Sequence, residues 1–425
     1  MKASGGKLIV LPEASPELQL GAAQATSVVA VAESNPEATI ITAQQLTYDR
    51  STQRAVGEGD LVIREEGVEI RAPRGTYDRQ LAQSNLEGGV VLQETGQGGG
   101  EIMPDFTLAQ AEPAAEDEEV TIIADQLDYD RNTQIAQGQG NLEIRQGETI
   151  LESPQGSYRR REAQSILNGG VTLREPNRIL TAQRLEGNHQ DKIFLFEEDV
   201  VYRQLAEAEA GSTEAGDSLT SELRQSETEV RAAKLVYNSP SETSEFTQNV
   251  QFVQRGRQAK SESAVITPEL VTLTGEVEIQ QIDGDWLARR FQDPDAQQDV
   301  SRPTLIFADR VEIDQQTSDA RFYENVVIVQ ANRAAEGDKA TYYDSTESFE
   351  LVAVSAPVLL CDRGDVGDVI PDSIEGLPGR DALDVTCRGA NQISSELIEL
   401  DMANDTFKAT GQSMMQFRVD AQDAP

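Results

Sequence analysis

The sequence predicts an all-β protein: an elongated, twisted stack of about twenty short antiparallel strands in two facing sheets, interrupted by four acidic loop inserts. Three observations predict it. Apolar residues alternate with polar ones at period two, as half-buried strands require. A pattern recurs every 29 residues, and two larger blocks duplicate each other. No helical periodicity runs through these segments.

Residues 41–93 lie on residues 122–174 at a constant offset of 81, without gaps, with 27 identities in 53 positions. Coincidence does not produce that, so the blocks are an internal duplication. AQQLTYDR from Ala43 becomes ADQLDYDR from Ala124, and GEGDLVIR from Gly57 becomes GQGNLEIR from Gly138. The finer period separates Ala43 from Ala72, Ala124 from Ser153, and Ser153 from Ala182 by 29 residues each. Each repeat has a small residue, an apolar position two residues before a Tyr, a polar turn, then Gly and an alternating strand. Weaker copies start at Ala232, Ser261, Ala308, Gly337 and Ser394, which makes about ten repeats of two strands.

The strands follow from the pairs Leu61/Ile63, Leu142/Ile144, Val171/Leu173, Val250/Phe252, Val277/Ile279 and Val326/Ile328. Polar segments such as Asp49–Thr52 and Asp130–Thr133 form the turns between them. Tyr48, Tyr77, Tyr129, Tyr158 and Tyr237 hold fixed places in the repeat and read as core or rim packing with the hydroxyl toward water. Gly57/Gly59 and Gly138/Gly140 resemble a phosphate loop superficially, but no helix follows, so they read as turn or strand-entry glycines.

Residues 1–38 carry no repeat and are expected to be a flexible N-terminal segment. Residues 39–419 form one repeat-built body, and 420–425 a tail. Met1–Gln24 has two lysines but lacks the apolar core of a secretory signal, so either the chain is cytosolic or a leader has been removed. The inserts 94–119, 204–229, 281–303 and 362–386 carry charges of −8, −6, −2 and −5, which is −21 of the net −38. They read as solvated loops. Trp286 reads as an anchor of the third insert, and His189 as exposed in a turn.

The charge of −38 argues against a sequence-independent nucleic-acid binder, which needs a basic face, and no nucleic-acid partner is expected. A single His leaves no multi-His zinc site and no His relay, and the 74 acidic residues show no recurring carboxylate pair. No catalytic residue, metal ligand or cofactor is assigned, and the chain reads as a non-enzyme. Cys361 and Cys387 bracket a polar loop; a disulfide and two free thiols both fit the sequence.

Twenty strands with one apolar face each bury those faces in two facing sheets or a β-solenoid. Such a stack ends in unpaired edges, here near Thr39–Tyr48 and Phe407–Val419, and pairing between them is heterologous. The motif I-x-A-D/Q-x-L-x-Y-D, seen in IITAQQLTYD, TIIADQLDYD and RILTAQRLEGN, followed by GEGDLVI or GQGNLEI, resembles the OstA-like repeats of lipopolysaccharide-transport proteins. That family includes LptA, LptC and the N-terminal domain of LptD. The likeness is strong over Thr39–Gln204, moderate over Val230–Gln280 and Thr304–Val354, and weak beyond.

The resemblance implies a twisted β-jellyroll whose apolar interior shields lipopolysaccharide acyl chains between the inner and outer membranes. It implies a periplasmic location with the signal peptide removed. It also implies like-folded partners, LptC-type at the inner membrane and LptD-type at the outer, or a head-to-tail homo-oligomer. The inward candidates for a lipid groove are Leu46, Leu61, Ile63, Val90 and Leu92 in the first block, and Leu127, Leu142, Ile144, Val171 and Leu173 in the second. Leu235, Val250, Phe252, Ile279 and Ile328 continue them. An open groove and a packed core need the same pattern, so a structural or adhesive β-repeat protein with a closed core is the alternative. A domain like the N-terminal part of an outer-membrane lipopolysaccharide assembly protein is a further one. The acidic framework is expected to keep an anionic head group outside, with affinity insensitive to salt.

Overall fold

Strands in this protein are longer than the repeat pattern suggests, because most of them bend once in the middle. The computed structural model describes residues 2–10, 39–65, 67–94, 120–205, 227–254, 257–281, 304–330, 333–346, 348–362, 379–401 and 406–417. Among these residues there are 24 strands and one α-helix. The chain divides into two compact units, residues 1–200 with 236–240 and residues 201–235 with 241–425, where the repeats had pointed to one body over 39–419.

The first unit begins with β1 (Lys2–Val10), β2 (Thr39–Asp49), β3 (Arg54–Glu65), β4 (Val68–Asp78) and β5 (Gln83–Glu94). It continues with β6 (Val120–Asp130), β7 (Ile135–Gln146), β8 (Thr149–Arg159), β9 (Gln164–Glu175) and β10 (Arg178–Asn188). Each strand pairs antiparallel with the next in the chain. β1 is a correction to the expected flexible segment 1–38. Its backbone pairs from Lys2↔Thr47 to Val10↔Thr39 and so covers the edge of β2 that would otherwise stand open. Residues 11–38 lie outside the described residues, as do Trp286, the tail 420–425 and insert residues 95–119, 206–226, 282–303 and 363–378.

The bend has a fixed recipe. In β3 the register shifts between Glu58 and Leu61, and there Gly59 and Asp60 are both left-handed, at φ 73° and 45°. Two consecutive left-handed residues recur at Gly88/Gly89, Gly140/Asn141, Gly169/Gly170, Glu198/Asp199, Gln248/Asn249, Gly275/Glu276 and Glu324/Asn325. They act as bulges that turn the strand through a corner. On the neighbouring strand the inside of the corner holds the small residue of the repeat, such as Ala43, Ala72, Ala124, Ser153 or Ala182, all buried. A large side chain lies opposite it: Leu61 faces Ala72, Val90 faces Ala124, and Leu142 faces Ser153. The next residue ties the outside of the corner. Gln44 Nε2 donates to Asp60 Oδ2 (2.5 Å), Asn141 Nδ2 to Asp125 Oδ2 (2.9 Å) and Asn325 Nδ2 to Asp309 Oδ2 (2.7 Å).

Bending folds the second half of each strand over the first, so the two facing layers are the two halves of the same strands. Gly57 shows why its position tolerates no side chain: a Cβ there would lie 2.7 Å from Leu61 Cδ1 of the returning half. Gly57 and Gly59 thus sit within a strand and at its corner, not at a strand entry. Tyr48, Tyr77, Tyr129 and Tyr158 share one row with Ala55, Ser84, Ala136 and Ser165, large and small alternating from strand to strand. His189, expected to be exposed, is buried, edge-on to Tyr158 and Phe194 at centroid distances of 5.8 and 5.7 Å, with its backbone N–H donating to the Ala163 carbonyl (2.8 Å).

Capping carboxylates define the turns. Asp49 accepts from Ser51 N (2.8 Å), Asp130 from Asn132 N (2.9 Å) and Asp314 from Gln316 N (2.8 Å). Hydrogen bonds of this kind hold all three carboxyls below the usual range: from the Ser51 side chain for Asp49, and from the Thr133 and Thr317 amides foremost for Asp130 and Asp314.

After β11 (Ile193–Gln204) and β12 (Thr228–Asn238), the second unit holds β13 (Thr243–Gln254), β14 (Arg257–Ile266), β15 (Leu270–Gln281), β16 (Thr304–Asp314), β17 (Ala320–Gln330) and β18 (Arg333–Tyr343). After β18 the corner becomes a break. Its second half pairs with β19 (Ser348–Val352) and its first half with β20 (Val358–Asp362). β21 (Asn391–Ser395) and β22 (Leu397–Asp401) add to these, then β24 (Met414–Gln416) to β21 and β23 (Thr406–Thr410) to β22. Phe407, Met414, Met415 and Phe417 at this edge are 43–70% exposed.

Asp338 holds the break together. Its carboxylate accepts from Val354 N (2.5 Å), Ser355 N (2.6 Å) and Ser355 Oγ (2.8 Å). These bonds, the Ser355 amide first, lower its pKa to about 2. A depressed folded pKa contributes stability that is present above the unfolded value and lost as pH falls toward the folded one. The loop 353–357 therefore loosens between about pH 4 and pH 2. In NMR the Val354 and Ser355 amide shifts titrate with a midpoint near 2; a midpoint near 4 would mean the carboxylate is not held. Asp338→Ala removes the transition.

The fourth insert is not wholly a loop. Gly379–Cys387 forms α1, with Ala382, Leu383, Thr386 and Cys387 buried along one side. Its acidic surroundings hide this short apolar face in the sequence. α1 covers the outer face of β16–β18 and β20, packing on Leu305, Val327, Val329 and Ala334. Cys361 and Cys387 form a disulfide, with Cα atoms 5.2 Å apart, that ties the end of the helix to β20.

Candidate functional site

The inward rows of the two units are built alike and packed differently. In the first unit one row runs in register through Ile41, Ile63, Ile70 and Leu92, then Ile122, Ile144, Leu151, Leu173 and Leu180. None is more than 6% exposed. The facing layer supplies Leu46, Leu86, Leu127 and Leu167, alternating with pairs of glycines such as Gly57/Gly75 and Gly138/Gly156. Leu61 and Leu142 drop onto those glycines: a Cβ on Gly75 would come within 2.9 Å of Leu61, and one on Gly156 within 2.8 Å of Leu142. What space remains between Ile122, Ile144, Leu127, Leu142 and Leu167 is a void of about 20 Å³, room for roughly one water. The first unit is a closed core.

In the second unit the equivalent row runs through Phe252, Ala259, Ile279, Ile306 and Ile328, then Ala335, Leu360, Ile393 and Met415. Ile306 and Ala335 are buried, but Phe252, Ile279, Ile328, Leu360 and Ile393 are only half-buried, and Met415 is 50% exposed. The facing row is closed, with Phe246, Leu273, Val311, Phe322 and Leu351 all at 2% exposure or less. The second unit thus presents a strip of incompletely covered apolar side chains on the inner side of one layer, nine strand positions long and ending at the exposed C-terminal edge. At ~4.8 Å per strand the strip extends on the order of 40 Å. Aliphatic carbons left in contact with water at this density are what an acyl chain would cover.

Of the fifteen groove candidates, Leu46, Leu61, Ile63, Val90, Leu92, Leu127, Leu142, Ile144, Val171, Leu173, Leu235 and Val250 are buried. Phe252, Ile279 and Ile328 alone belong to the half-covered strip. Sequence reasoning missed Leu360, Ile393 and Met415, which lie where the repeat is weakest. The signal that finds them is register, since each faces an inward residue of the preceding strand.

A second cavity, a half-open cleft of about 540 Å³, lies on the outer face beside the start of α1 and is floored by Phe307 and Val327. Of its carboxylates, Glu278 pairs with Lys260 (3.6 Å), Glu336 with Arg380 (3.2 Å) and Asp309 with Asn325 (2.7 Å). Among the described residues no helix is long and apolar enough to cross a membrane.

No protein-family model matches the chain, and no curated protein matches it. Among solved structures, it is similar in part to the crystal structure of LptH, the LptA-homologous periplasmic component of the lipopolysaccharide transport device from Pseudomonas aeruginosa. That likeness covers 29% of this chain and 77% of LptH, at 12% identity and a TM-score of 0.23.

Proposed function

We propose that the protein is a non-enzymatic periplasmic carrier that shields lipopolysaccharide acyl chains on the half-covered strip of its second unit. The observation that carries this is the in-register row Phe252, Ile279, Ile328, Leu360, Ile393 and Met415, open where the matching row of the first unit is closed. Burial of acyl carbons there is worth ~0.8 kcal/mol per CH₂ and needs no reaction at the carrier. The OstA-like character of the repeats supports the choice of lipid. The exposed edge at Phe407 and Met414–Phe417 supports addition of a like-folded partner of LptC or LptD type, or of a second copy, by strand pairing. The packed interior of the first unit favours a second reading, a structural β-repeat protein with no ligand.

Photo-crosslinking separates the two. A photoreactive residue at Ile279 or Ile328 captures labelled lipopolysaccharide, whereas one at the outward neighbours Gln251 or Glu278 does not. Equal capture from both sets, or none from either, overturns the carrier reading.

A further inference from the structure

Beyond the apolar strip, the outermost inward rung is filled differently in the two units. Residues two apart on a strand share a face, so this rung lies about 7 Å from the strip, toward the strand ends. In the second unit it runs in register from Gln254 and Arg257 through Thr304 to Arg333, Asp362 and Asn391, with Gln281 and Gln330 between. Among the described side chains of this rung the charged ones are Arg257, Arg333 and Asp362. The same rung of the first unit holds Val68, Val120, Gln146 and Thr149 and, further along the row, Glu175 and Arg178, which pair with each other at 3.6 Å and are largely covered. There Val68 and Val120 are buried and close the mouth.

We infer that this rung reads the head group of an anionic amphiphile, with the acyl chain along Phe252, Ile279 and Ile328 and the negative group at Arg257 or Arg333. The inference rests on the carrier reading and names its polar half. Arg257 is half-buried at the end of the strip, so its stem can lie against apolar surface while the guanidinium meets the head group. Arg333 is exposed and shares Asp362 at 3.5 Å, which orients it at the same mouth. A guanidinium suits phosphate because it donates two parallel hydrogen bonds. About four strand steps separate the two arginines, roughly 19 Å, so each marks its own head-group position. The net charge of −38 pointed to an anion held outside by repulsion; at this rung the described side chains include two arginines beside one carboxylate.

The test uses two probes with one chain, dodecyl phosphate and the uncharged dodecyl maltoside, titrated below their micellar concentrations into the full chain by calorimetry. Wild type binds the phosphate about tenfold more tightly than the maltoside, and the difference shrinks as salt is raised. The double variant Arg257→Gln, Arg333→Gln loses the difference and binds the maltoside as wild type does. Ile279→Asn weakens both probes. Equal affinities in wild type, or a preference that survives the double substitution, overturn the head-group inference while leaving the strip intact. If neither probe binds wild type, the carrier reading fails and this inference fails with it.

Discussion

Serine at Cys361 or Cys387 costs the second unit about 3.5 kcal/mol, the chain-entropy value for a cross-link spanning 26 residues. The loss is concentrated around α1. A nine-residue helix is too short to persist alone in water, and its hold on the sheet is the packing of Ala382 and Leu383 on Leu305, Val327, Val329 and Ala334 together with the disulfide. Without the bond the helix frays from β20 and uncovers those side chains. Hydrogen exchange reads this directly: amides of β16–β18 and β20 lose protection, while those of β2–β9 keep it. Unchanged protection in β20 would show that packing alone holds the helix. In wild type, reduction acts only after local opening, since both cysteines are buried.

Gly75→Val destabilises the first unit by 3 kcal/mol or more, above the roughly 1–3 kcal/mol usual for overpacking. A Cβ at Gly75 meets Leu86, the Asn85 carbonyl oxygen at 2.9 Å and Leu61 Cδ2 at 2.9 Å. A side chain can yield, but the carbonyl belongs to the adjacent strand and cannot move without breaking the ladder. Gly89→Ala is the control for conformation without crowding. It has nothing within 4 Å of the new Cβ but sits at φ 90°, and it costs about 1 kcal/mol. Urea unfolding midpoints compare the two. Adding Leu61→Ala to Gly75→Val restores part of the loss if Leu61 is what fills the interior; strict additivity would mean the two sites do not touch.

The alternation at Leu61/Ile63 or Leu142/Ile144 was legible because one face of each strand is buried and the period is short. The corners were legible only where glycine spells them. Gly88/Gly89 stands out, whereas Glu198/Asp199 and Gln248/Asn249 adopt the same left-handed pair with residues that signal nothing by themselves. Strand β1 was hidden because it carries no repeat motif, and its place depends on the bare edge of β2. α1 was hidden by the acidity around it.

The site was legible as a set of inward positions and no further. Ile144 and Ile328 occupy equivalent places in the pattern, yet one is buried and the other half-covered. The rung beyond also differs, with Val68, Val120 and the Glu175–Arg178 pair in one and Arg257 and Arg333 in the other. That distinction depends on which residues stand side by side, which only the register reveals.

The corner also governs what can join the molecule from outside. A strand that adds along a whole edge must itself turn through the corner, carrying its own left-handed pair at the matching place. A straight strand finds only short stretches to follow: at the C-terminal edge, five residues in β23 or three in β24, separated by Gly411 at φ 96°. Cross-β growth needs extended segments of six or seven residues stacked in line. The apolar edge at Met414 and Met415 is therefore guarded against amyloid-like growth by its shape instead of by charge, and it admits a partner that is bent in the same way.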